Sequence, residues 1–341
     1  MEKSLFLKTC AGEVTSTKPV WMMRQAGRYL PEYREMRAKF PNFLEFVANP
    51  EAAAEVTVQP LRRFDLDAAI LFSDILVVLA PMGISVEFIS GKGPQVKSPV
   101  QSYRDIQGLS TFDSSKELAY TRKAIELTKQ QISKETPLLG FVGGPLTVAS
   151  YAIEGQTSKA LAHTKRLYYQ DPGAYHEFLD KMATDLGTYL SLQADWGCDA
   201  LVIMDSWAGA LSAEDYQKMA YPYTQKLISI AKKAGKPIIH YANGAGHLIE
   251  NILQLEATAF GLDFRNDLSA TLNKNPNTIF QGNLEPALLF APVETIQEKT
   301  LEILEQVKNR PHIMNLGHGV LQETPLEGVQ AFIKTIKNYK A

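Results

Sequence analysis

The sequence has few cysteines, little net charge and no long apolar run, and each shortage argues against a class of protein. Its two cysteines, Cys10 and Cys198, give neither a disulfide framework nor the paired spacing of a zinc site, which favours a reducing compartment. The formal net charge of -2 provides no general field for nucleic acid or an anionic membrane. No stretch reaches about 18 uninterrupted apolar residues, and the N-terminus resembles neither a signal peptide nor a presequence. We therefore expect a cytoplasmic protein without nucleic-acid or membrane partners.

Eight short apolar runs recur along the chain, mostly separated by helical segments, and polar or glycine-rich residues follow each run. The runs are 19–23, 68–72, 138–142, 200–204, 237–241, 259–262, 278–281 and 312–316. This alternation predicts an α/β fold, a single (β/α)8 TIM barrel over residues 1–341, a common length for such barrels. The alternating segment 84–100, with its Gly-Lys-Gly-Pro turn, predicts a β-hairpin excursion after the second strand. We expect the site on the loops at the C-terminal ends of the strands.

Arginines are concentrated in the segment 18–37, KPVWMMRQAGRYLPEYREMR, directly after the first apolar run. Gly27 predicts a tight turn that brings Arg24 and Arg28 together, and Pro31 is well suited to open a helix. A guanidinium group binds carboxylate or phosphate through two parallel hydrogen bonds. The cluster therefore predicts a multiply anionic ligand.

The same segment contains further donors and possible partners for its charges. Gln25 and Tyr29 add hydrogen-bond donors beside the arginines. The alternative is that these arginines are surface groups paired with Glu32 and Glu35, an interpretation that we favour only for Arg34.

Asp74 is the candidate catalytic carboxylate because it follows a wholly apolar run and would face the mouth of the barrel. Opposite arginines it would remain ionised, accept N–H hydrogen bonds and stabilise a cation, which suits a nitrogen heterocycle. Aspartate is also a favoured N-cap residue, and the spacing supports a cap for the next helix about equally well.

Three further residues lie where they could contact a ligand. His318, between two glycines, could donate a hydrogen bond, although a lone histidine is more often structural. Ser206 lacks the G-x-S-x-G pattern of a serine nucleophile, so a hydroxyl contact is the preferred interpretation. Tyr151 could cover a ligand, but packing is the better prediction from the residue alone.

Metal and nucleotide sites find little support in the sequence. The histidines do not form H-E-x-x-H, and neither cysteine has a close Cys or His partner, so we predict no metal. The stretch 243–246, Asn-Gly-Ala-Gly, fits neither nucleotide-binding glycine motif and is interpreted as a βα turn.

Six motifs, in this order, resemble those of uroporphyrinogen decarboxylases: PVWMMRQAGRYLPEYR, LFSDIL, GPLTVASYAIEG, DSWAG, GNLEP and NLGHG. The first motif is long and specific, and together the motifs span almost the whole chain. The resemblance implies a cofactor-free barrel enzyme, usually a homodimer. Its implied activity is the removal of CO₂ from the four acetate side chains of uroporphyrinogen III, which gives coproporphyrinogen III.

The resemblance also implies roles for individual residues. The family's substrate-binding segment, its essential aspartate and its other ligand contacts map to Arg24, Gln25, Ala26, Gly27, Arg28, Asp74, Tyr151, Ser206 and His318. Asp74 would accept pyrrole N–H groups and stabilise a protonated pyrrole intermediate, while Arg24 would hold the reacting carboxylate. Glu285 stands where the family often has aspartate.

Two alternatives stay open at this point. A related corrinoid-dependent methyltransferase would share the barrel but should carry a zinc-binding His/Cys set, which this sequence lacks. A non-catalytic tetrapyrrole-binding protein would keep the cleft without turnover, and the presence of both Asp74 and Arg24 argues against it.

Overall fold

The computed structural model of the protein describes residues 4–89 and 92–340. In chain order its strands are β1 (Ala69–Ile70), β2 (Val86–Ile89), β3 (Gly93–Val96), β4 (Leu138–Gly143), β5 (Ala200–Asp205), β6 (Ile238–Ala242), β7 (Ala259–Gly261), β8 (Phe280–Gln281) and β9 (His312–Ile313). Its α-helices are α1 (Leu5–Cys10), α2 (Pro31–Arg37), α3 (Phe43–Ala48), α4 (Pro50–Arg63), α5 (Tyr103–Gln107), α6 (Ser114–Glu117), α7 (Ala119–Gln131), α8 (Pro145–Glu154), α9 (Ala162–Gln170), α10 (Pro172–Asp195), α11 (Ala213–Met219), α12 (Tyr221–Ala231), α13 (Ile249–Ile252), α14 (Leu268–Lys274), α15 (Val293–Val307) and α16 (Leu326–Asn338).

Seven of these strands form one parallel sheet in the order β1-β4-β5-β6-β7-β8-β9. Sequence neighbours pair directly in the sheet, as where Leu139 lies opposite Ala200 and Leu201 opposite Ile238. Parallel neighbours require crossover connections, and helices supply most of them here. The predicted (β/α)8 architecture is confirmed.

The first apolar run closes the barrel between β9 and β1 through a single bridge. Val20 is paired in parallel with Met314, whose N–H donates to Pro19 O at 2.8 Å. On the other side, the Asp67 N–H donates to Val20 O at 2.8 Å, and the Asp67 carboxylate accepts the Val20 N–H at 2.8 Å. The Val20 N–H is thus bonded to a side chain and not to the backbone carbonyl that a regular sheet would supply. The first apolar run therefore closes the barrel without forming a regular strand.

Alternation along the strands separates two apolar layers, as a pleated strand requires. Val202 in β5 and Ile239 in β6 point into the barrel, where they pack with Phe6 of α1. Their neighbours Ile203 and Ile238 point outward and join the layer between strands and helices. The barrel interior is therefore a packed core, which leaves the strand ends for a ligand.

The predicted hairpin excursion is also confirmed. Strands β2 and β3 are antiparallel, with Val86 opposite Val96. Gly91 of the predicted turn lies outside the described residues. The Val96 N–H donates to Gly155 O at 2.7 Å, which attaches the hairpin to the end of α8.

Helix boundaries differ from the sequence pattern where proline begins a new helix. The helical segment between the fourth and fifth apolar runs is divided into α11 and α12, and Pro222 lies in the first turn of α12. Proline lacks the N–H that a helix interior needs but is tolerated in a first turn. Among the helices of the described ranges, none combines the length and apolar character needed to cross a membrane.

Candidate active site

Arg24 leaves the barrel at the end of the first apolar run with its backbone in the left-handed region, at φ 59°. This conformation is uncommon for a residue with a side chain and is held by neighbouring structure. The Met23 N–H donates to Asn315 Oδ1 at 3.1 Å, and Met23 O accepts from the Val320 N–H at 2.9 Å. The loop after β9 therefore sets the position of Arg24.

The tight turn predicted at Gly27 is made differently. Gly27 does not adopt a positive φ; a Cβ there would lie 3.2 Å from Arg24 O. Gly27 therefore allows a close approach of the backbone, whereas Arg24 itself takes the unusual conformation. Ala26 and Gly27 are both half-buried in this turn.

Neither Arg24 nor Arg28 forms an ion pair with a carboxylate in the described part of the chain. Arg24 is exposed and has no hydrogen bond or ion pair there. Arg28 is exposed and donates from Nη1 to the neutral Gln322 Oε1 at 3.1 Å. Both guanidinium groups therefore retain donors for an anionic ligand.

Arg34 does not pair with the glutamates as expected. Its Nη1 donates to Arg28 O at 2.6 Å and to Tyr29 O at 3.2 Å, while Glu32 pairs with Arg63 at 2.8 Å. Arg34 therefore anchors the backbone that carries Arg28.

The side chain of Gln25 is fully buried beneath the arginines. Its Oε1 accepts the Met22 N–H at 3.1 Å, and its Nε2 donates to Ala68 O at 3.1 Å. These bonds link the first loop to the start of the second strand. The geometry favours this structural role over the predicted ligand contact of the Gln25 side chain.

Asp74 follows β1 and is partly buried at the mouth of the barrel. Its Oδ1 accepts the Leu76 N–H at 2.8 Å, and residues 75–83 form turns, so Asp74 caps a turn where the alternative interpretation expected a helix. Burial raises the pKa of Asp74 to about 6, although the Leu76 N–H and the Arg24 guanidinium both act to lower it. One carboxylate oxygen remains available for a ligand.

Three tyrosines from different helices lie near enough to Asp74 for its charge to act on them. They are Tyr33 of α2, Tyr120 of α7 and Tyr151 of α8. Burial raises the pKa of each phenol, in the case of Tyr120 to about 12, and the charge of Asp74 adds to the increase. All three are therefore neutral hydroxyls near physiological pH. Tyr33 and Tyr120 were not predicted, because a tyrosine within a helix has no sequence signal of its own.

The loop after β5 places Ser206 and Trp207 beside α8. The Trp207 ring stacks on Tyr151 with centroids 3.9 Å apart and planes 29° apart. The Trp207 N–H donates to Thr147 Oγ1 at 3.1 Å, and the Thr147 hydroxyl donates to Asp205 Oδ1 at 2.6 Å. Ser206 is half-buried within this fixed loop. Trp207 was not predicted as a site residue, although it lies two residues after the end of β5.

His318 is held in one neutral form. Its Nδ1 accepts the Gly319 N–H at 2.5 Å, so the proton of the neutral ring is assigned to Nε2. Burial lowers the pKa of His318 to about 4, and the positive charges of Arg24 and Arg265 act in the same direction. His318 can therefore donate a hydrogen bond from Nε2 near neutral pH.

Glycines allow the loops at the mouth to approach one another closely. A Cβ on Gly144 would lie 2.6 Å from Asp205 Cγ, and one on Gly209 would lie 2.5 Å from Asn243 O. A Cβ on Gly317 would collide with the Phe264 backbone. These contacts join loops from different strands at the mouth of the barrel. The charge of Arg24 acts on Asp74, Tyr151 and His318, so these four predicted residues lie near one another, and Ser206 precedes Trp207, which stacks on Tyr151.

Comparison with known proteins identifies the family. The model of the family "Uroporphyrinogen decarboxylase (URO-D)" matches residues 1–339. The chain belongs to the uroporphyrinogen decarboxylase family. Proteins named uroporphyrinogen decarboxylase from Carboxydothermus hydrogenoformans and from a Roseiflexus species are each 42% identical to it. The first alignment covers 97% of this chain and 95% of that protein, and the second covers 100% of both.

A solved methyltransferase from Methanosarcina mazei has a similar fold, with a TM-score of 0.83, 18% identity and coverage of 99% of both chains. At this identity the likeness concerns the fold alone. The barrel fold of this uroporphyrinogen decarboxylase family member therefore also occurs in a protein described as a methyltransferase.

Two further polar features lie at or near the ends of the strands, the turn at 243–246 and the pair His240–Asp205. The Gly244 N–H donates to the Asp263 carboxylate, so the turn at 243–246 binds a side chain of the protein itself. His240 Nε2 lies 3.9 Å from Asp205 Oδ2, and both side chains are fully buried, but neither of these two atoms has a hydrogen-bond partner among the described residues. No three His, Cys, Asp or Glu side chains of the described ranges are grouped to hold a metal; the absence of a metal stays a prediction.

Proposed function

We propose that the protein removes CO₂ from the four acetate side chains of uroporphyrinogen III to give coproporphyrinogen III in tetrapyrrole biosynthesis. The observation that carries the proposal is Asp74, a carboxylate with a pKa raised to about 6 at the mouth of the barrel. Full-length similarity to proteins named uroporphyrinogen decarboxylase supports the same reaction. The active domain spans residues 1–341.

The cationic first loop binds the acidic substrate. Arg24 and Arg28 are exposed and have no carboxylate partner in the described ranges, so each can pair with a substrate carboxylate through two N–H groups. His318 donates from Nε2 to a carboxylate or carbonyl oxygen. Ser206 and Tyr151 supply hydroxyl contacts on the other side of the cleft, where the stacked Trp207 ring fixes the tyrosine.

Asp74 performs the electrostatic step. Its free oxygen accepts the pyrrole N–H groups that point to the centre of the reduced macrocycle. Protonation of the pyrrole carbon next to an acetate arm makes that ring cationic, and ionised Asp74 stabilises the cation. The bond between the acetate methylene and its carboxylate then breaks, its electron pair enters the ring and CO₂ leaves. A proton added at the methylene carbon gives the methyl group, and loss of the proton first added restores the pyrrole.

The substrate itself supplies the electron sink, and the proposed reaction requires no cofactor. Arg24 holds the reacting carboxylate close to the charge of Asp74 and lowers the pKa of Asp74 at the same time. Its guanidinium is too weak an acid to be the main proton donor. Partial burial of Asp74 strengthens its electrostatic interactions with the substrate.

An anaerobic assay tests this proposal. Protein and uroporphyrinogen, without added cofactor, should give coproporphyrinogen, measured by chromatography after oxidation of the porphyrinogens. Binding of uroporphyrinogen without release of CO₂ would contradict the proposed activity and favour a tetrapyrrole-binding protein. Methyl transfer that depends on bound zinc and a corrinoid would favour the methyltransferase, an alternative supported only by the likeness of fold.

We further propose that the enzyme is a cytoplasmic homodimer. The support is the family membership together with the low cysteine content of the chain. Sedimentation at micromolar concentration should give about twice the chain mass of 37.9 kDa. A single monomeric species would contradict the dimer without affecting the proposed chemistry.

A further inference from the structure

Arg265 lies on the loop after β7, at the same end of the barrel as the other site residues. Phe264, the residue before it, packs against Gly317 so closely that a Cβ on Gly317 would collide with the Phe264 backbone. Gly317 directly precedes His318. The loop after β7 therefore lies against the loop after β9, on the side of Gly317.

Arg24 lies against the same histidine loop at Gly319, where a Cβ would lie 2.7 Å from Arg24 Cγ. His318 is thus flanked in sequence by two glycines, one packed on the Phe264–Arg265 loop and one packed on Arg24. The positive charges of both arginines act on the His318 ring and lower its pKa. Two guanidinium groups therefore border this part of the mouth from different loops.

The guanidinium of Arg265 is held in place by weak contacts. Its Cζ lies 4.6 Å from the centroid of the Phe264 ring, and its Nη1 lies 3.4 Å from Asn243 Oδ1. The Arg265 N–H donates to Asp263 Oδ1 at 2.7 Å, which fixes the start of the side chain. Such preorganisation reduces the conformational entropy that binding would cost.

Asp263 does not use up the binding capacity of Arg265. The Asp263 carboxylate is fully buried and already accepts the backbone N–H groups of Gly244 and Arg265. Its distance to Arg265 Nη1 is 3.5 Å, and 54% of the Arg265 side chain is exposed. Most of the five guanidinium N–H donors therefore remain available to an anion.

We propose that Arg265 binds a carboxylate side chain of the substrate, as a second anion subsite across His318 from Arg24. This inference rests on the proposed function, because an octacarboxylate is the ligand that requires carboxylate contacts on several sides of the cleft. Arg24 and Arg28 bind one side of the macrocycle, and Arg265 binds the side that faces the loop after β7. The contact orients the macrocycle over Asp74.

The test compares Arg265→Gln with the wild type and with Arg104→Gln. Arg104 is exposed on α5, outside the cleft, and serves as the matched control for loss of one positive charge. Affinity for uroporphyrinogen is measured anaerobically by quenching of tryptophan fluorescence at several salt concentrations. We expect Arg265→Gln to weaken binding about 10- to 100-fold, as for loss of a charge-assisted hydrogen-bonded pair, and to reduce the salt dependence of binding. Arg104→Gln should change neither quantity.

Arg265→Lys separates the charge from the two-pronged geometry. Lysine keeps the positive charge, so the salt dependence of binding should equal that of the wild type. The affinity should stay below that of the wild type, because lysine cannot form two parallel hydrogen bonds to a carboxylate. Unchanged affinity in Arg265→Gln, with a native melting temperature, would overturn this inference alone. Wild-type binding without CO₂ release would overturn the proposed function but leave the Arg265 comparison valid. A wild type that does not bind uroporphyrinogen would overturn both.

Discussion

The Arg24 side chain lies across Gly319 in the space that a Cβ would occupy, with its Cγ 2.7 Å from the ideal Cβ position. The two residues are far apart in the chain and belong to the first and last loops of the barrel. Gly319 does not adopt a positive φ, so steric space, not backbone conformation, is what favours glycine there. This contact sets the direction in which the Arg24 guanidinium extends.

Replacement of Gly319 by alanine should therefore displace Arg24. We expect kcat/KM to fall roughly 10-fold or more, because small displacements of a positioning group are costly in catalysis. The melting temperature should change little, since the Arg24 side chain is exposed and can move. Gly173→Ala is the control: a Cβ there makes only an ordinary contact, 3.7 Å from Asp171 Oδ1. Equal activity of the two variants would show that the position of Arg24 is unimportant.

Asp74→Asn should reduce activity and increase stability. Asparagine can still accept the Leu76 N–H but lacks the charge that stabilises the cationic ring, so kcat should fall by about 10²-fold or more. Folding raises the pKa of Asp74 from its usual value of about 3.8 to about 6, so ionisation of the carboxyl group destabilises the folded state progressively between these pH values and fully above pH about 6. Its removal should increase the free energy of unfolding at pH 8 by on the order of 1 to 3 kcal/mol. Steady-state kinetics and urea titration measure the two effects.

Asp113→Asn is the matched control for this substitution. Asp113 Oδ1 accepts the Ser115 N–H, also two residues ahead, at 3.0 Å, but Asp113 lies on the surface. Its replacement should leave kcat unchanged. Wild-type turnover by Asp74→Asn would leave Asp74 with only its turn-capping role.

The pH dependence of kcat/KM should report the ionisation of Asp74 in the free enzyme. Activity should rise with pH through about 6, where the carboxyl group loses its proton. His318 has a pKa lowered to about 4 and stays neutral over this range, so it does not produce the same limb. The measurement is kcat/KM from pH 5 to pH 8. A value that stays constant below pH 6 would contradict the assignment of this ionisation to Asp74.

Arg28→Ala should weaken substrate binding more than folding. Loss of a charge-assisted carboxylate contact should cost about 1.5 to 3 kcal/mol of binding free energy. The fold should be retained because Arg28 is exposed and its side chain donates only to Gln322 in the described ranges. Arg62→Ala is a suitable control, since Arg62 pairs with Glu55 on the surface of α4. An affinity equal to that of the control would exclude Arg28 from the anion site.

Local patterns in the sequence were sufficient to predict the architecture. The eight apolar runs, with polar or glycine-rich residues after each, predicted the barrel. The alternation around Val86 and Val96 predicted the hairpin, and Pro31 predicted the start of α2. These features depend on periodicity and on residues close together in the chain, so the sequence contains them directly.

Hydrogen bonds between residues far apart in the chain decided which polar side chains remain available to bind a ligand. Gln25 bonds to Ala68 and Met23 to Asn315, a separation of 292 residues in the second case, and no local pattern specifies either contact. No local pattern marks Arg265 either, although Asp263, two residues before it, directly follows the sixth apolar run. The raised pKa of Asp74 likewise follows from burial by several loops. Hydrogen-bond saturation and desolvation are properties of the assembled mouth, so only the tertiary structure determined them.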